Sequence, residues 1–141
     1  MRVILIGVII LLLLLILVLV RRSGRSIELR KSPVHGRGIF ACTSFEPGDT
    51  VEVAPLINFQ SRDELSPVSN IRDYDIRRDD GRYAIMLGYA SIYNHSDKNN
   101  AEWHFQGEDE LIVKAIKPIN DGDEIFVSYG EDYWKARPDK I

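Results

Sequence analysis

The chain has 141 residues, 45% of them apolar, a formal net charge of −3 and one cysteine. That length suits one domain rather than two, and the lone Cys42 excludes both an internal disulfide and a Cys-rich zinc site. The acidic balance also argues against direct nucleic-acid binding, for which a basic face is expected.

Residues 1–22 are predicted to form a transmembrane anchor. Val3 to Val20, VILIGVIILLLLLILVLV, is an uncharged run of 18 residues. As a helix it would span roughly 27 Å, close to the hydrocarbon thickness of a thin bilayer. A signal peptide is the competing reading. Its apolar core is shorter and ends at a small-residue cleavage site, whereas this run meets RRSGR. Only Arg2 and the amino terminus precede the span, while Arg21, Arg22, Arg25, Arg30 and Lys31 follow it. Positive charge stays on the cytoplasmic side, so the following domain is expected on a cytosolic, nuclear or virion-interior face. Residues 23–31 read as a basic juxtamembrane collar suited to anionic headgroups. Residues 32–141 carry 12 Lys/Arg against 20 Asp/Glu, a body suited to a cationic partner. The single cysteine fits a reducing compartment and agrees with that orientation.

From Ile27 onward, short apolar stretches alternate with turn signals, which predicts a compact β-rich fold. IELRKS reads as a strand that stops at Pro33. HGRG is a turn, GIFAC a strand, and EPGD a β-turn with Pro and Gly placed for it. TVEVAPLI alternates apolar and polar residues until Pro55, which is expected to interrupt it. Residues 61–82 are polar and irregular, with room for a short helix. YAIMLGYASIY is apolar, LIVKAI a strand, NDGD a turn and EIFVSYG a further strand. The tail, EDYWKARPDK, is aromatic and then charged.

Three features carry chemistry. In HGRGIFA (35–41), two glycines flanking one residue allow close backbone approach to a ligand, although most such stretches are only turns. In YNHSDKNNAEW (93–103), Asn94 opens a formal glycosylation sequon, Asn-His-Ser. The apolar run leading into it suggests instead that Asn94 points inward, where its amide could serve a ligand or a structural turn. His95 and His104 lack metal-site spacing, so no metal is expected. In GDEIFVSYG and EDYW (122–134), Tyr129 ends a strand and Tyr133 follows four residues later. Buried tyrosines are usually core or rim residues whose hydroxyls find a partner.

In this order, KSPVHGRGIFA, FEPGDTVE, NHSDKNNA and IKPINDGDEIFVSYGEDYW resemble the SET-domain protein lysine methyltransferases. The resemblance covers residues 27–138 and looks nearest to the small stand-alone SET proteins of large algal viruses. It implies a β-clip fold of small sheets, with a knot-like C-terminal core around the active site. It also implies S-adenosyl-L-methionine as cofactor, cradled by Gly36, Arg37 and Gly38 and held by Asn94 and by the main chain of His95. Tyr74 would flank the cofactor and Trp134 would pack on its adenine. Tyr129 resembles the active-site tyrosine, and Trp103 and Tyr133 the walls of the lysine channel.

The chemistry so implied is an in-line methyl transfer to an amine, in which positioning carries much of the catalysis. A lysine of pKa near 10.4 is neutral about one part in a thousand near pH 7.4, roughly 4 kcal/mol from reactive. An aromatic channel beside a cation lowers that pKa without a fixed base. A basic protein such as a histone tail is the implied substrate, and pairing of two copies is an expectation for small zinc-free relatives. The chain departs from the family pattern in having Asn99-Asn100 where Pro-Asn is usual. It also has no zinc-binding cysteine clusters, and its apolar N-terminus lies outside the resemblance. Two other readings stand beside the enzyme. One is a catalytically idle SET module that binds peptides or tethers a partner at a membrane; the other is a lumenal glycoprotein with sugar on Asn94.

Overall fold

The computed structural model describes residues 7, 9–14, 24–65 and 70–135. Residues 7 and 9–14 are helical and exposed; the remainder of the predicted anchor and residue 23 of the collar lie outside the described residues, as does the tail from 136. Among the described residues no helix is long and apolar enough to cross a membrane.

Among the described residues nine strands build the domain: β1 (Ile27–Lys31), β2 (Arg37–Ala41), β3 (Thr50–Phe59), β4 (Asp75–Arg77), β5 (Tyr83–Met86), β6 (Asn94–His95), β7 (Ala101–Gln106), β8 (Glu110–Ala115) and β9 (Glu124–Val127). They form a four-stranded sheet ordered β1-β2-β9-β6 and a five-stranded sheet ordered β4-β5-β3-β8-β7. One apolar cluster joins them: Ile39, Ala41, Ile125 and Val127 from the first sheet meet Ala54, Leu56, Leu111 and Val113 from the second. Leu111 and Val113 alternate along β8 with the half-buried Ile112 and Lys114, the period-two pattern that LIVKAI announces. Each fully buried aliphatic side chain contributes on the order of 1.5–3 kcal/mol.

The EPGD and NDGD segments are matched turns. Asp49 N–H donates to Glu46 O and Asp123 N–H to Asn120 O, with Gly48 and Gly122 at φ +97° and +95°. Phe45 and Ile119, which precede them, exchange both main-chain hydrogen bonds.

Pro55 does not interrupt β3. The strand pairs with β8 through residues 50–55 and with β5 through 56–59, so Pro55 sits at the changeover. There its carbonyl accepts from Leu87 N–H at 2.9 Å, and the N–H it lacks is not needed. The described residues of 61–82 hold two 3₁₀ turns, Arg62–Glu64 and Asn70–Asp73, followed by β4. Ser61 and Glu64 close a capping box on the first turn. Arg62 grips the buried Asp75 with two guanidinium hydrogen bonds and lies over the Tyr83 ring, which closes the segment onto β5. The C-terminal helix spans Glu131–Lys135.

Candidate active site

The site depends on one unusual pairing. β6 is two residues long and runs parallel to β9, with Asn94 opposite Phe126 and His95 opposite Val127. Residues far apart in sequence thereby become neighbours, and β9 delivers Tyr129 two residues beyond the pair. Asn100 secures the arrangement: its Nδ2 donates to Glu124 O at 2.9 Å and its Oδ1 accepts from Phe126 N–H at 2.8 Å. That is what the second asparagine of Asn99-Asn100 does here.

Asn94 points inward and is 7% exposed. Its Nδ2 faces the carbonyls of His35 (3.2 Å) and Arg37 (3.1 Å) and Glu124 Oε1 (2.8 Å). Glu124 is buried, and its second oxygen accepts from Ser32 Oγ at 2.9 Å. Ser32 Oγ in turn accepts from Val34 and His35 N–H, so Ser32, Glu124 and Asn94 fasten the 32–38 loop onto β6 and β9. Gly36 holds φ +51° in that loop. Gly38 is required for space: a Cβ there would lie 2.0 Å from Glu124 Oε1 and 3.0 Å from Asn94 Nδ2.

Tyr129, two residues past the end of β9, is half-buried. Its hydroxyl donates to Tyr93 O at 2.7 Å and its N–H to His95 Nδ1 at 3.1 Å. Burial first, then the neighbouring Tyr133 and Tyr74, push its phenol up to about 12, so it stays protonated near neutral pH. Aromatic rings surround it: Trp103 stacks at 6.2 Å and 4°, Tyr133 lies at 4.6 Å, His95 at 5.3 Å and Trp134 at 6.0 Å. Trp134 also meets His95 and Tyr133 edge-on, each at 4.9 Å.

A cleft of about 1300 Å³ has His35, Gly36, Arg37, Tyr74, Asn94, Trp103, Tyr129 and Tyr133 on its walls. Seven of the ten residues singled out from the sequence therefore share one wall system. Gly38 is beneath it, buried against Glu124, while His95 and Trp134 stand behind Tyr129 in the ring cluster. Among the described residues no group of three metal-ligating side chains forms.

Sequence reading overlooks two acids. Glu124 opens the strand read from EIFVSYG, but nothing in that stretch marks it as a buried partner of Asn94. Glu52 lies half-buried on β3 beside a bulge, where Oε1 accepts from Tyr89 N–H (2.8 Å) and Oε2 from the hydroxyl of fully buried Tyr93 (2.9 Å). Burial raises its pKa, against the lowering pull of those donors and of Ala90 N–H. Tyr93's own phenol is pushed up by burial and by Glu52. Glu52 thus braces the turn that presents Tyr93 O to Tyr129.

The SET domain family matches residues 36–130, most of the chain. The chain belongs to the SET-domain family. Its fold is the mainly β SET fold with few helices. A histone-lysine N-methyltransferase of Schizosaccharomyces pombe, H3 lysine-37 specific, is 23% identical over 111 residues, spanning 77% of this chain and 76% of its own. Histone-lysine N-methyltransferase SET9 of Phaeosphaeria nodorum is 47% identical over 51 residues, 36% of this chain but 8% of that protein. A crystal structure from Plasmodium falciparum, described as a histone methyltransferase, superposes with a TM-score of 0.67 and 29% identity, covering 79% of this chain and 98% of that one.

Proposed function

We propose that this SET protein is an S-adenosylmethionine-dependent protein lysine N-methyltransferase. The observation that carries the reading is the Tyr129 phenol, hydrogen-bonded to the residue before Asn94 and opening on a cleft walled by Trp103 and Tyr133. The cofactor fits the residues present: the loop has no room for a side chain at Gly38, and the cleft beside it is large. Gly36, Arg37 and Gly38 would hold it by backbone approach, with Asn94 and the His95 main chain on the other side, Tyr74 flanking and Trp134 on the adenine side. When bound, it supplies a methyl group activated on a sulfonium.

The chain's own part is positional. Tyr129 commits its proton to Tyr93 O, which leaves its oxygen as an acceptor for an amine N–H in the cleft. The rings of Trp103 and Tyr133 would line the path of an aliphatic chain and strip water from its ammonium, favouring the neutral amine. No carboxylate or imidazole is assigned as a fixed base. Histone tails are the proposed substrate class, supported by the relatives' activities and by 20 Asp/Glu against 12 Lys/Arg over residues 32–141. We further propose that residues 3–20 anchor the protein in a membrane with the SET domain on the cytosolic, nuclear or virion-interior side, supported by the uncharged run and the basic residues after it. Shared anchoring would favour pairing by raising local concentration.

The test is a filter-binding assay with methyl-labelled S-adenosylmethionine, the full-length chain and mixed core histones. Label on lysine is the expected result. Cofactor binding without label on any protein offered would leave the idle module as the reading.

A further inference from the structure

We infer that the imidazole of His95 is a positioning device for Tyr129 that works only while the ring is neutral, so that proton uptake at His95 releases the site tyrosine. The part concerning activity rests on the function proposed above; the part concerning the ring stands on geometry alone.

β6 lies beside β9 so that the N–H of Tyr129 points at His95 Nδ1, 3.1 Å away. A ring nitrogen that accepts a hydrogen bond carries no proton. The neutral ring must therefore hold its proton on Nε2, and Nε2 lies 3.2 Å from Asp97 Oδ1, an acceptor in the right place. The ring thus links an exposed carboxylate to the main chain that carries the phenol.

An imidazolium donates from both nitrogens. On protonation Nδ1–H would face Tyr129 N–H, donor against donor, and the tether would be lost. Among the described residues, Asp97, 99% exposed in the turn after β6, is the charged group beside the ring. Tyr129 comes from the end of β9 and Trp134 from the C-terminal helix, both as uncharged rings. The side chain of His95 is 19% exposed, so protons reach it. Tyr129 has its other anchor at Tyr93 O and its ring stack on Trp103, so losing the amide tether would shift the phenol without unfolding the strand.

The decisive measurement is NMR on the full-length ¹⁵N-labelled chain in detergent micelles. At neutral pH, Nδ1 of His95 should carry the shift of a bare nitrogen and Nε2 that of a protonated one. On acidification the Tyr129 amide resonance should move with the same midpoint as the His95 ring. A ring protonated on Nδ1 at neutral pH, or a Tyr129 amide that stays fixed while the ring titrates, overturns the proposal.

Kinetics supply the second arm. His95→Asn offers an amide oxygen near the Nδ1 position and takes up no proton, whereas His95→Gln offers its oxygen near Nε2. Between about pH 8 and about pH 5.5 the kcat of wild type relative to His95→Asn should fall about fivefold, the effect of one net hydrogen bond, with cofactor KM little changed. The ratio cancels the substrate lysine's own ionisation. His95→Asn should also exceed His95→Ala and His95→Gln in kcat; equal rates for all three would refute positioning through Nδ1. If wild type transfers no methyl group, the functional reading fails while the NMR arm still decides the tether.

Discussion

The hydroxyl of Tyr129 donates to the main-chain carbonyl of Tyr93 at 2.7 Å, tying the exit of β9 to the residue that precedes Asn94. Removing that oxygen takes away both the tether and the acceptor offered to an incoming amine, while the ring stack on Trp103 survives. Tyr129→Phe should lower methylation of a lysine substrate at least about tenfold, or some 1.4 kcal/mol of barrier. S-adenosylmethionine affinity by calorimetry should be nearly unchanged. Wild-type turnover in the variant would remove Tyr129 from the site.

Gly38 meets a different constraint, since its neighbours are already pinned. A Cβ would sit 2.0 Å from Glu124 Oε1, and that oxygen also receives Asn94 Nδ2. Glu124 cannot swing aside without giving up Ser32 as well. Gly38→Ala should cost about 1–3 kcal/mol, the usual range for forcing an atom into a packed interior. It should also weaken cofactor binding by distorting the loop. Gly24→Ala, with nothing within 4 Å, is the control and should leave the melting temperature unmoved.

Much of this was legible in the residues. The alternation in LIVKAI gives β8, the Pro-Gly and Asp-Gly turns fall where written, and seven of the residues singled out from the sequence share the cleft. Legibility failed where meaning depends on partners distant in sequence. AEWHFQ alternates polar residues with Trp103 and Phe105, yet no strand is assigned there from the sequence; β7 is defined by its pairing with β8. Pro55 looks like a break unless β3 is known to change partners there. Glu52 and Glu124 resemble the solvated acids of neighbouring turns, and only the β3 bulge and the β2–β9 pairing bury them.

Glu52 makes a signed prediction about pH. Burial raises its pKa in the folded chain above the unfolded value, so the folded state binds the proton more tightly. Its contribution to stability is fully present below the ordinary carboxylate pKa and is lost as pH rises through the raised folded value. Glu52→Gln removes the titration while keeping a group able to meet Tyr89 N–H and the Tyr93 hydroxyl. Wild type should gain stability relative to Glu52→Gln as pH falls through the raised value, read from denaturant midpoints at several pH values. A difference independent of pH would mean that Glu52 titrates alike in both states.

Asn94 supports the loop and the strand pair together, so its loss should be felt in stability even without cofactor. Asn94→Ala leaves Glu124 Oε1 and the carbonyls of His35 and Arg37 without their shared donor. A buried acceptor left unsatisfied costs about 1–3 kcal/mol, and more when it is charged. The substitution should therefore lower the thermal midpoint by several degrees. Adding Glu124→Gln should recover part of that loss, because an uncharged amide is cheaper to bury alone. The double-mutant cycle should then show a coupling of about 0.5–3 kcal/mol. Strict additivity would mean that the amide and the carboxylate stabilise the loop separately. The same inward placement predicts that expression in eukaryotic cells gives no glycosidase-sensitive mobility shift, since an amide 7% exposed cannot carry a sugar in the folded domain.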